Sequence, residues 1–378
     1  MNDQAVAAER LQLALSDASH GLVERDSLVQ LIALTAVARE HVLVIGPPGT
    51  AKSEAVRRVS RALGGQYFEY LLGRFTEPSE IFGPIDLKRL RDGEVTTRTD
   101  GMLPEAEIAF LDEVFLGSTA ILNTLLGILN DRVFRRGRTV VQCPLRVCVG
   151  ASNALPDDEA LAAFSDRFLV RTFVQSIPDT RLEDLLEAGW GVETGTREIR
   201  TASVADVDAL ANQARSADMT QVRLPLADAV RTLRSAGITL SDRRVVKIQR
   251  LVAAAGALGG RQTPTDADLW PIIYAVPDAE SQTLARTVLR DLLAASENEA
   301  LPAATEEASL GPAARATRIA QAAANLLETE PTDADERKRW QLRLEGVARE
   351  MDAAFDTESL PDDLASLRQR IVDKTQSP

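Results

Sequence analysis

Cysteine, histidine and aromatic residues are scarce in this sequence. Among 378 residues there are two cysteines and two histidines, and Phe, Trp and Tyr together make up 4%. Two cysteines, Cys143 and Cys148, cannot make a disulfide framework. They are expected as reduced, partly buried thiols of a cytoplasmic protein. His20 and His41 are too few and too far apart to suggest a metal site. No apolar run reaches about 18 residues, so no helix is expected to span a bilayer. Met1-Asn2-Asp3-Gln4 lacks the basic stretch and apolar core of a secretory signal. Positive charge is also short: the net charge is −13. That balance argues against broad contact with nucleic acid or anionic membranes, both of which favour Lys and Arg.

What is present is ordinary globular composition, 45% hydrophobic and 26% charged, on a chain long enough for two or three domains. Residues 1–40 read as largely helical, with Leu28, Leu31, Ile32 and Ala36 on one face. Five short apolar segments follow, at 41–45, 67–72, 108–111, 147–151 and 169–174, mostly separated by helical patterns. Continuous apolar strands alternating with helices predict a parallel sheet covered on both faces. Two stretches, 84–98 turning at Asp92-Gly93 and 133–142 turning near Gly137, read as inserted β-hairpins. After residue 176 the strands stop. The expected organisation is an αβα domain over 1–176, a helical lid over 177–296, a linker rich in Ala, Pro and Glu over 297–312 and a helical block over 313–378. In that block Trp340, Leu344, Val347, Met351 and Phe355 share one helix face and are expected to pack within a small bundle.

The chemistry-bearing residues come in order. Gly46-Pro47-Pro48-Gly49-Thr50-Ala51-Lys52-Ser53 lies between an apolar strand and a helical pattern. That context suits a phosphate-binding loop, whose backbone N–H groups and helix N-terminus wrap the phosphates. Lys52 would reach the β- and γ-phosphates and Ser53 would ligate Mg²⁺. The strict pattern has Gly before the Lys, where this chain has Ala51. Ile108–Glu113 ends an apolar strand in two carboxylates. In isolation they read as a helix start; behind such a loop, Asp112 suits Mg²⁺ and Glu113 suits activation of water. Asn153, at the tip of a third strand, could hold that water. Arg167 stands before the last strand, where it could reach a neighbouring subunit's nucleotide, with Arg171 as its competitor. Arg243 and Arg244 open a lid helix and could sense the γ-phosphate.

Taken together, this ordered set resembles the AAA+ ATPases, an α/β P-loop NTPase fold with a parallel five-stranded sheet. The loop with Ala51 before Lys52 resembles that of MoxR ATPases, as do residues 103–113, 121–126 and 130–134. Residues 74–84, 151–156 and 241–244 look like its RavA branch. The resemblance implies an ATP/ADP- and Mg²⁺-dependent ATPase in a hexameric ring with chaperone-like action on protein substrates, commonly with a von Willebrand factor A domain protein as partner. It places Leu22 and Val23 at the adenine, Lys52, Glu113, Asn153 and Arg167 in catalysis, and Arg243 on the second sensor, with Arg244 beside it. RavA carries an extra β domain within its C-terminal helices, for which the joint near Glu328–Thr332 leaves no room. The rival expectations are a nucleic-acid motor, resting on Arg135-Arg136-Gly137-Arg138 at a hairpin tip, and a non-catalytic nucleotide-gated scaffold, disfavoured because Lys52, Asp112, Glu113 and Asn153 are all present. The acidic chain favours a protein substrate.

Overall fold

A computed structural model of the chain describes residues 3–194, 200–309, 320, 323–324, 326–327, 331, 334–354 and 362–376. The chain divides into two units, Met1–Gln175 with Arg197–Ser309, and Ser176–Thr196 with Leu310–Pro378.

The first unit is built on a parallel sheet of five strands in the order β2-β3-β6-β1-β7. These are β1 (Val42–Ile45), β2 (Tyr67–Leu71), β3 (Ile108–Asp112), β6 (Val147–Ser152) and β7 (Val170–Phe173). The central strands β1, β3 and β6 are apolar on both faces because helices cover both sides, whereas the edge strand β2 is only half-buried. Val42, Val44, Phe110 and Val149 point into one core, with α1 (Asp3–Ser19), α2 (Asp26–Ala38), α3 (Lys52–Leu63), α9 (Val204–Arg215) and α11 (Asp242–Leu258). Leu43, Ile45, Ala109, Leu111 and Cys148 point into the other, with α6 (Thr119–Asp131) and α7 (Glu159–Ser165). The two-residue period of a strand sorts them.

Register defines the two edges of this sheet. Ile45 pairs with Ser152 and Phe173, and Leu71 with Asp112. The residues after these strands therefore gather at its carboxyl edge: Gly46, Glu113, Asn153 and Val174. The residues before the strands, Glu40, His41, Arg146 and Leu169, gather at the amino edge. A four-residue strand separates the edges by about 13 Å.

The hairpin expected over 133–142 forms, as β4 (Val133–Arg136) paired antiparallel with β5 (Thr139–Gln142). The one expected over 84–98 does not. Asp86 accepts hydrogen bonds from the backbone N–H groups of Lys88 and Arg89. It thereby caps the one-turn helix α5 (Leu87–Arg91), and a single bridge, Ile85 to Thr97, remains of the ladder. A short acidic side chain offers the backbone a local partner that competes with strand pairing. Ahead of it lies the equally short α4 (Pro78–Phe82).

The stretch expected as a linker also differs. Residues 302–309, here α14, are helical, and Leu301, Ala304 and Ala308 are fully buried. Ala304 N–H donates to Gln30 Oε1 and its carbonyl accepts from the Tyr274 hydroxyl. Small side chains here permit close packing against α2 rather than a free tether. Residues 310–312 of that stretch lie outside the described residues. Between α9 and this helix run α10 (Thr220–Ser235), α11, the 3₁₀ turns Asp266–Asp268 and Trp270–Ala275, α12 (Ala279–Val288) and α13 (Arg290–Leu293). Within the stretch expected as a helical lid, residues 266–275 form only these two tight turns.

The second unit contains α8 (Leu182–Thr194), α15 (Ala334–Ala354) and α16 (Asp362–Gln376). So α8, expected at the start of the lid, groups with the C-terminal helices. Trp340, Leu344, Val347 and Met351 pack with Leu364 and Ile371 in a small core of their own. Phe355, expected on the same face, lies outside the described residues. No helix among the described residues is long and apolar enough to cross a membrane.

Candidate functional site

The loop Gly46–Ser53 joins β1 to α3 at the carboxyl edge. A Cβ on Gly46 would lie 2.1 Å from the Val174 carbonyl oxygen, so only glycine lets the loop leave the strand at this point. Gly49 (φ 76°) and Ala51 (φ 58°) both take the left-handed conformation. Alternating such residues with right-handed ones turns successive N–H groups to one side and forms an anion nest. The backbone N–H groups of Gly49, Thr50, Ala51, Lys52 and Ser53 have no acceptor among the described residues. They precede the positive end of α3. Five convergent donors without an acceptor fit a chain of phosphates, and fit little else as well.

A left-handed alanine is strained by about 1–2 kcal/mol relative to glycine. The greater freedom of glycine in the unfolded chain offsets about half of this. Ala51→Gly is therefore expected to raise stability by up to about 1 kcal/mol, read from the midpoint of urea unfolding. A lower midpoint would show that the Ala51 methyl makes a compensating contact.

Lys52 is buried, and its ammonium donates to the carbonyls of Gly46 at 2.6 Å and Pro47 at 2.9 Å. Burial pulls its pKa below the usual lysine range; Asp112 and Glu113 oppose this, and Arg25 reinforces it. Strand register through β6 brings the end of β3 to the same edge as the loop. Glu113 (φ 50°) turns out of the strand, and the Asn153 side-chain amide donates to its Oε1 at 2.7 Å. Its own N–H bonds Asp112 Oδ1 at 3.0 Å. Ser53 opens α3 next to Lys52. Among the described residues no cluster of three or more His, Cys, Asp or Glu could by itself hold a metal. One hydroxyl and one carboxylate suit Mg²⁺, which keeps several waters and takes further oxygens from phosphate.

The other sequence-derived residues lie away from this group. Arg167 sits between α7 and β7, and its side chain has no hydrogen-bond partner among the described residues; its Nε is buried. Arg171 is buried and committed: it donates to the Pro277 carbonyl at 2.7 Å and to Ser165 Oγ at 3.0 Å. Burial, reinforced by neighbouring Arg244, lowers its pKa to about 10. Arg243 and Arg244, expected as sensors of a γ-phosphate, stand away from the phosphate loop of their own chain. Arg244 is buried at the amino edge, pairing with Asp166 at 2.6 Å and donating to the carbonyls of Phe168, Leu169 and Ala275. Arg243 donates to Asn130 Oδ1 at 2.5 Å, and Lys247 one turn on pairs with Glu40 just before β1. This end of α11 therefore packs a strand's length away from the phosphate loop.

The family described as the MoxR domain of MoxR-vWA-beta-propeller ternary systems matches residues 9–212. The chain belongs to the MoxR family. Two uncharacterized proteins of Methanocaldococcus jannaschii are 39% and 38% identical to it over 241 residues, 63% of this chain and 64% and 62% of theirs. The chain thus spans less than two thirds of these relatives. The Mycobacterium tuberculosis chaperone MoxR1 is 25% identical over 174 residues, 44% of this chain and 45% of that one. A crystal structure of a candidate ATPase from Cytophaga hutchinsonii superposes with a TM-score of 0.61 at 14% identity, covering 78% of this chain and 96% of its own. That likeness shows the fold.

Two residues of this MoxR chain, Arg25 and Arg58, escaped the sequence reading. Arg25, at the N-cap of α2, is buried and uses its whole guanidinium on backbone carbonyls. It donates to Thr50 at 2.8 Å, Gln175 at 2.7 Å and Glu24 at 2.7 Å. It thereby ties the turn containing Leu22 and Val23 to the phosphate loop. Arg58, on α3, donates to the His20 carbonyl at 2.6 Å and fixes the other side of the turn. Carbonyl acceptors leave no trace in sequence, so no motif could have signalled either role.

Proposed function

We propose that this chain is an Mg²⁺-dependent ATPase that works as a ring, with the active site at the carboxyl edge of the sheet. The observation that carries this is the unpartnered run of loop amides beside Lys52, Asp112 and the hydrogen-bonded pair Glu113–Asn153. In this reading Gly46 to Ser53 bind the phosphates and Leu22 and Val23 contact the base. Ser53 and Asp112 hold Mg²⁺, which would neutralise phosphate charge. Glu113 accepts a proton from the attacking water, oriented with the help of Asn153. A phosphate-release assay with and without Mg²⁺ tests it; no turnover in either condition would overturn it.

Arg167 supports the ring. Its side chain has no hydrogen-bond partner among the described residues and stands at the edge opposite its own phosphate loop, so any nucleotide it serves belongs to another copy. Arg243, equally remote, has the same restriction. We place the chain near the RavA branch on residues 74–84, 151–156 and 241–244, and assign it a chaperone-like role on protein substrates in a hexamer. The hairpin tip favours protein over nucleic acid: Arg138 is paired with Glu94 and Arg136 donates to the Gly83 carbonyl, which leaves Arg135.

The partner we infer is a protein with a von Willebrand factor A domain, in keeping with the ternary systems for which the matched family is described. A ring can pass its nucleotide state to a partner only if the partner binds one state better. Titration of any such protein encoded beside this one is expected to show affinities at least about tenfold apart with ADP and with a non-hydrolysable ATP analogue, a coupling of about 1.4 kcal/mol. Equal affinities would leave a complex without a switch, and no binding in either state would remove the partner.

A further inference from the structure

We infer that Arg25 is a positioning residue for phosphate binding, which sets the direction of the loop amides through the Thr50 carbonyl. This rests on the nucleotide reading above and adds a residue to it. In a planar trans peptide the C=O and the following N–H point in opposite directions. Arg25 Nε holds the Thr50 carbonyl at 2.8 Å in a buried contact. The next N–H, that of Ala51, is therefore aimed away from Arg25 and into the loop. Thr50 is flanked by the two left-handed residues, Gly49 and Ala51, so its peptide is the pivot of the nest. Its hydroxyl is tied as well, donating to the Pro47 carbonyl at 2.9 Å.

The rest of the guanidinium fixes Arg25 itself. It spans from Glu24 to Gln175, the residue after Val174 against which Gly46 packs. The entry and the middle of the loop are thus referred to one rigid fork. Lysine could not replace it: a single ammonium on a flexible stem cannot satisfy three carbonyls held in a fixed arrangement. A preset nest binds phosphate without first reorganising, whereas a free Thr50 peptide would have to be ordered by the ligand.

The test measures ADP affinity and the melting temperature of the nucleotide-free protein for the full chain and for Arg25→Lys and Arg25→Ala. Both variants are expected to bind ADP about tenfold or more weakly, the loss of a charge-assisted hydrogen bond. The melting temperature of Arg25→Lys should stay within a few degrees of the parent. Unchanged ADP affinity in Arg25→Lys would reduce the role to charge and overturn the inference. Lower melting temperatures with unchanged affinity would make Arg25 a fold residue and overturn it too. If Arg25→Ala does not fold, Arg25→Lys decides, because it keeps the charge and the aliphatic stem. An unaltered chain that binds no ADP would instead remove the nucleotide reading.

Discussion

Glu113→Gln protein is expected to bind ATP as tightly as the parent and to hydrolyse it at least about a hundredfold more slowly. The substitution is nearly isosteric. It keeps an oxygen that can accept the Asn153 amide, now at 2.7 Å from Glu113 Oε1, and leaves Lys52, Ser53 and Asp112 untouched. Only the capacity to take a proton from water is lost. Lys52→Ala separates the two functions from the other side: it removes the cation nearest the loop and should abolish binding as well as turnover. Nucleotide titration together with single-turnover phosphate release distinguishes them. Full turnover in Glu113→Gln would transfer the base to another group and undo the assignment of the β3 carboxylates.

Arg167→Ala is expected to bind ATP normally and to lose about a thousandfold in turnover, the usual scale for an arginine that meets transition-state charge. Its position at the amino edge makes the assignment an assembly statement. Mixing Arg167→Ala with Lys52→Ala should restore part of the activity. Wherever a Lys52→Ala copy presents its intact Arg167 to an intact loop on an Arg167→Ala copy, one complete site forms. No recovery in rings shown by native mass spectrometry to be mixed would sink the shared site. Unchanged activity in Arg167→Ala alone would do so more simply. Arg171 is a poor substitute, because it is buried and donates to Pro277 and Ser165.

The features legible in sequence share a physical basis: they are local. Apolar runs long enough for one strand gave all five strands of the sheet, and the order Gly46–Ser53, Asp112-Glu113, Asn153 gave residues that the strand register does bring to one edge. What sequence order does not encode is which end of the sheet a later helix packs against. That is why Arg243 and Arg244 were expected at the phosphates yet stand beside Asn130 and Asp166. The hairpin at 84–98 failed because the cap at Asp86 outweighs an alternation of only a few residues. The linker reading failed over 302–309 because Ala suits a packed helix as well as a tether, and Pro302 stands at the first helical residue, where proline is tolerated. Arg25 was invisible because its partners are main-chain oxygens.

The grouping of α8 with the C-terminal helices has a consequence for how the protein is made. The chain leaves the first unit after Gln175, returns at Arg197 and leaves again after Ser309. The segment carrying α8 is therefore synthesised early, while α15 and α16 come last. At about 5–20 residues per second, α8 emerges from the ribosome on the order of ten seconds before its packing partners. Leu182, Leu185 and Leu186 are 42%, 40% and 73% exposed in the folded protein as well, so the interval adds little to the apolar surface that α8 presents to water. A stop codon placed near residue 310 would make that wait permanent. Because α8 keeps these side chains exposed in the full chain too, such a truncation should stay as soluble as the parent, and aggregation of the truncated protein would show that the C-terminal helices shield α8.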